Sequence, residues 1–140
     1  MKSMAWLILA TLAFGAHAAD EEGSSPCDNA ETEQQNYDCA VDNRKTAERE
    51  LSASFDDLLS QVGDKYKGEP AKLNELKKRL TDAENLWKQL RDADCKVETF
   101  DQKPGKAFDT AQNNCIAQRS DDRSEYLQSL GLQDGEAEPE

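Results

Sequence analysis

The chain has a single histidine in 140 residues, four cysteines without a C-x-x-C pair, few aromatics, and no apolar run long enough to cross a bilayer. Each scarcity removes a class of chemistry. A serine or cysteine nucleophile needs a positioned base, usually histidine, and the one histidine, His17, falls in a segment expected to be removed. Thiol redox catalysis is built on C-x-x-C, and a structural zinc site wants such a pair or histidine ligands. There is no glycine-rich phosphate loop and no D-x-D-x-D-G calcium loop, since Asp134-Gly135 lacks the other ligands. Acidic neighbours such as Asp56/Asp57 and Asp121/Asp122 point in different directions on a helix, so they read as a solvated face rather than a glycosidase pair. The inventory implies no enzyme, no metal and no cofactor, and it points to binding.

The first nineteen residues do contain an export signal. Lys2 precedes an apolar run from Met4 to Phe14, and Gly15-Ala16-His17-Ala18-Ala19 supplies small residues for cleavage. A membrane span needs roughly 20 apolar residues, and this run is shorter. The first cysteine, Cys27, comes well after the cleavage point, so no lipid anchor is expected. Cleavage after Ala18 leaves 122 residues, one tryptophan (Trp87) and no histidine. It also leaves 16 basic against 29 acidic residues, a net charge of −13. That field repels nucleic acid and anionic lipid and favours cationic partners. The sequence thus predicts a periplasmic or secreted protein without membrane insertion.

Residues 20–26 are polar with Gly and Pro and read as a flexible leader, and 131–140 read as a disordered acidic tail. Between them three helical patterns appear. Thr32 with Gln35 has capping-box spacing, and Tyr37, Val41, Leu51, Phe55, Leu58 and Val62 follow at helical intervals, predicting one helix over about 32–66. Gly63, Gly68 and Pro70 punctuate the pattern. The second helix carries Leu73, Leu76, Leu80, Ala83, Trp87 and Leu90 in alternating steps of three and four, a single apolar seam ending near Cys95. A loop is expected over 96–105, around Pro104-Gly105. The third pattern, from Phe108 through Cys115 to Leu130, ends at Gly131. No stretch alternates as a strand. The fold class is all-α, an antiparallel three-helix arrangement.

An even cysteine count in an exported chain implies two disulfides among Cys27, Cys39, Cys95 and Cys115. Folding the second helix back along the first gathers all four at one pole. The opposite pole, unstapled, is expected to fray first. Three connectivities are open; with the first and third helices parallel, Cys39 and Cys115 stand at similar heights, which favours Cys39–Cys115 with Cys27–Cys95.

These elements carry a specific resemblance. Cys27 and Cys39 enclose CDNAETEQQNYDC, AERELSASFDDLL follows from Ala47 to Leu59, W-x-x-x-R-D-x-x-C appears as Trp87, Arg91, Asp92 and Cys95, and after Cys115 comes S-x-x-R-x-x-x-L as Ser120, Arg123 and Leu127. Over 27–130 the chain resembles the LprI-type lysozyme-inhibitor domain, a four-cysteine helical family of the bacterial envelope. Glu48-Arg49-Glu50-Leu51-Ser52 stands where the family has Asp-x-x-Leu-Asn, and Ser120 where it has Thr. The resemblance implies a binding protein that inhibits a muramidase. The rival reading is a structural or stress-response protein whose partner is another envelope protein.

The signature residues have structural explanations of their own. Trp87 on the central seam is expected in the core, with Arg91 one turn on lying against its ring or reaching a carboxylate of a neighbouring helix. Asp92 and Arg123 have opposite charges near the staples and suit an ion pair. For contact with a lysozyme cleft lined by carboxylates, the candidates are Lys96, Lys103 and Lys106 in and beside the 96–105 loop.

Overall fold

A computed structural model describes Ser25 and residues 27–131 of the chain. The expected signal at 1–19, the leader at 20–26 apart from Ser25, and the tail beyond Gly131 lie outside the described residues. Three helices make up the fold, α1 (Glu33–Lys65), α2 (Pro70–Glu98) and α3 (Lys106–Ser129). Among the described residues there is no strand, and no helix is long and apolar enough to cross a membrane.

α1 starts where its capping box predicts. Thr32 Oγ1 accepts from the Gln35 backbone N–H at 3.2 Å, and Gln35 Oε1 accepts from the Thr32 N–H at 2.9 Å, satisfying two amides the helix leaves open. Pro70 begins α2, where a missing N–H costs nothing. α2 continues through Lys96 to Glu98, so the connecting loop is shorter than the 96–105 expected from sequence. Gly105 begins α3 with φ 148°, a conformation open to glycine and strained for other residues.

α1 and α3 run parallel and form the close pair. Lys106 reaches Gln34, Arg44 donates to Asn113 at 3.4 Å, and Gln128 donates to Ser54 at 3.2 Å, which fixes one register along their length. The closeness follows from small side chains. Ala40, Ala47 and Ser54 recur every seven residues on α1, and Ala117 and Ser124, with Ser120 between them, repeat the device on α3; all are buried. Interhelical distance is set by side-chain size at the contact. α2 runs antiparallel to both and stands further off.

The larger aliphatics gather toward the other end. Leu51, Leu58, Val62 and Leu127 form the buried cluster, with Phe55, Tyr66, Leu73, Leu76, Leu80 and Trp87 packed against it. The pole expected to fray is therefore the one that holds the apolar core.

Both disulfides lie at the pole where the chain enters, but the favoured connectivity is overturned: the bridges are Cys27–Cys39 and Cys95–Cys115. Height along the bundle was the wrong coordinate. Cys39 stands nine residues before Glu48, about two and a half turns at 3.6 residues per turn, and Glu48 is the residue that meets α2. Cys39 therefore faces away from α2 and from Cys95. The chain ahead of α1 turns back through Asn29, whose φ of 66° is left-handed, and delivers Cys27 to it. Cys95, fully buried, is left facing α3 and Cys115.

Candidate functional site

The apolar seam read along α2 divides in the structure. Leu73, Leu76, Leu80 and Trp87 turn inward, whereas Ala83 and Leu90 are exposed and Glu84 and Arg91 are buried in their place. An alternating three-and-four pattern averages 3.5 residues per turn and drifts around a straight helix. Keeping to the inner face from Leu80 takes the steps Glu84, Trp87, Arg91, Cys95, and two of those are charged.

The buried charges are both paired. Arg91 donates to Glu48 Oε1 on α1 at 3.1 Å, to Ser120 Oγ on α3 at 3.1 Å and to neighbouring Asp92 at 2.9 Å. Its guanidinium also lies 5.4 Å from the Trp87 ring centroid, so it both flanks the ring and reaches a carboxylate of a neighbouring helix. Ser120 donates its own hydroxyl hydrogen bond to the Ile116 carbonyl at 2.7 Å, leaving its oxygen to accept from Arg91. Arg123 does not meet Asp92. It donates to Glu84 at 3.0 Å, and its guanidinium sits 5.3 Å from Trp87 and 4.9 Å from Tyr126. Asp92 is instead half-exposed beside Arg91.

Trp87, half-buried, thus stands between two guanidiniums. Each arginine takes its carboxylate from a different helix pair, Arg91 from α1 and Arg123 from α2. The network spans the wide gap between α2 and the α1·α3 pair with long side chains. Glu84 and Glu48 are the members the sequence did not single out. Glu84 was legible in principle, lying four residues after Leu80 and seven before Arg91 on one helical face.

The three lysines proposed as contacts fare differently. Lys96 and Lys103 are exposed. Lys106 bonds to Gln34 and lies 5.8 Å over the Tyr37 ring, so its ammonium is engaged within the fold. The loop beside them is braced at its base: Thr99, buried, donates to the Cys95 carbonyl at 2.8 Å, and Gln112 donates to the same carbonyl at 2.9 Å, directly behind the Cys95–Cys115 bridge.

On the side of the α1·α3 pair away from α2 lies an open groove of about 750 Å³ lined by both helices and by none of α2. Asp42 and Glu50 of α1 and Asp121 and Asp122 of α3 all line it. Burial, then Glu50, Asp122 and Glu125, raise the Asp121 carboxyl above its ordinary titration range. Like charges are held here against their mutual repulsion. No group of three or more potential metal ligands occurs among the described residues.

The described residues thus form a short all-α domain with two bridges, a Trp–Arg network between its helices and an acidic face. Residues 27–127 match the family described as Lysozyme inhibitor LprI. The chain is also similar to the crystal structure of a DUF1311 family protein from Pseudomonas putida KT2440, at 50% identity over 76% of this chain and 100% of that one, with a TM-score of 0.66. No curated protein matches it. The protein belongs to the LprI lysozyme-inhibitor family.

Proposed function

We propose that this protein is an exported inhibitor that binds a basic lysozyme in the periplasm or outside the cell and slows its attack on the cell wall. The observation that supports it is the family match over nearly the whole folded domain. The charge agrees: 29 acidic residues dominate the chain, and four of them line one groove on the face opposite α2. Such a field speeds encounter with a cationic protein and orients it. The signature itself is read as structural, because Trp87, Arg91 and Arg123 are spent on holding α2 to its neighbours.

The test is inhibition of peptidoglycan hydrolysis by a basic lysozyme across a salt series. Attraction between exposed charges alone is strongly screened above ~0.15 M, where the Debye length is about 8 Å. A shaped interface persists. The expected result is inhibition that survives physiological salt, exceeds that of an unrelated protein of equal negative charge, and weakens when Glu50 and Asp121 are both replaced by Lys. If the control matches the protein, or binding vanishes at physiological salt, lysozyme is not its partner.

A further inference from the structure

The side of α2 turned away from the bundle carries a second apolar stripe. Ala83, Leu86, Leu90, Ala93 and Val97 follow one another in steps of three, four, three and four, the spacing of a coiled-coil seam, and Phe100 lies in the turn just beyond the helix. All six are exposed, the four large ones between 58% and 83%. From Ala83 to Val97 the stripe is about 21 Å long. Contiguous apolar surface of this kind on a small exported domain marks an interaction site.

One edge of the stripe says what covers it. Glu75, Asp82, Gln89 and Lys96 recur every seven residues beside the seam, two acids, a neutral amide and a base in order, all exposed. We propose that two copies of the protein pair through this face, α2 against α2, antiparallel and centred near Gln89. In that register Asp82 of each copy meets Lys96 of the other, and Gln89 meets Gln89. The same register sets Leu86 against Leu90 and Ala83 against Ala93, so leucines fill the centre while paired alanines let the helices approach. Val97 of each copy reaches the Arg79 turn of the other. A parallel pair fails on geometry, because it would set this edge against the opposite one, where Leu80 and Trp87 are already packed into the bundle. The present partner of Asp82, Lys78, makes an exposed i,i+4 pair with it that costs little to exchange. The pairing leaves the acidic α1·α3 groove uncovered in both copies, so it adds to the inhibitor reading without depending on it.

The test is sedimentation or light scattering of the mature protein over a concentration series. A concentration-dependent dimer is expected. Leu90→Glu, at a solvent-facing position, is expected to keep the helical circular dichroism spectrum and weaken association by ~30-fold or more, the effect of losing a central anchor. Asp82→Lys and Lys96→Asp are each expected to weaken it, and the double swap to restore it, because each copy then offers the reversed charges to the other. A monomer at every concentration, or a dimer indifferent to Leu90→Glu, overturns the pairing; single swaps without effect, or a double swap that fails to restore, overturn the register. Lysozyme inhibition by monomeric Leu90→Glu is measured alongside, so that loss of pairing and loss of inhibition are scored separately.

Discussion

Arg123 and Glu84 form the most deeply buried ion pair among the described residues, 3.0 Å apart with side chains 12% and 5% exposed, and the second carboxylate oxygen of Glu84 is buried without a hydrogen-bond partner. The pair ties α2 to α3, yet half of the carboxylate's acceptor capacity is unused. Removing one member strands the other: Glu84→Ala is expected to destabilise by about 3–5 kcal/mol. Replacing both, as Glu84→Leu with Arg123→Met, is expected to cost much less or to stabilise, since both desolvation penalties vanish together. Denaturant midpoints of the two singles and the double check this. Additive losses would show that the pair is not a unit.

Trp87→Ala removes a ring that is half-buried and flanked by Arg91 and Arg123. The expected loss is on the order of 2–3 kcal/mol, less than for a fully buried ring because part of the surface is already in water. A variant that melts like the parent would show that Trp87 contributes only to partner contact.

The bridges enclose sequence separations of 12 and 20 residues. Tryptic cleavage of the unreduced mature protein is expected to release the Asp92–Lys96 peptide covalently joined to the 107–119 peptide. Cys27 and Cys39 are expected within one peptide ending at Arg44, two mass units below its reduced form. A cross-link between the Cys27 peptide and the Cys95 peptide would refute the assignment. Reduction is expected to cost roughly 3 kcal/mol per bridge, read as a lowered melting temperature.

Asp121 titrates above the usual carboxylate range because burial and the neighbouring acids disfavour its charge. The folded state therefore binds this proton more tightly than the unfolded chain does. By linkage the group opposes folding at neutral pH, and its penalty is lifted as pH falls through the raised value. Asp121→Asn is expected to stabilise the protein at pH 7, with the gain shrinking as the pH is lowered toward the ordinary carboxylate range. A constant gain at every pH would mean that packing, not charge, was responsible.

The sequence carried the helices well because their ends are written locally. Thr32 and Gln35 cap α1, and Pro70 opens α2. It carried the inner face of α2 poorly. Glu84 and Arg91 look like solvent residues until α1 and α3 supply Glu48, Ser120 and Arg123, and those partners lie between 29 and 43 positions away. Cysteine pairing failed for a related reason: the question was which way Cys39 points around its helix, and the backward turn at Asn29 left no trace in hydrophobic periodicity. The outer stripe of α2 was in plain view as spacing, but Leu90 and Ala83 served equally well as members of a single seam until burial separated them.

The compact aliphatic cluster of Leu51, Leu58, Val62 and Leu127 bears on how the protein responds to temperature. Heat-capacity change on unfolding comes mainly from newly wetted apolar surface, while exposed polar surface subtracts from it. A domain whose helices meet through alanines, serines and ion pairs is expected to fall below the usual ~12–15 cal/mol/K per residue. Its stability curve would then be broad and shallow. Such a protein loses little on cooling and little on moderate warming, and scanning calorimetry at several pH values would measure the flatness directly.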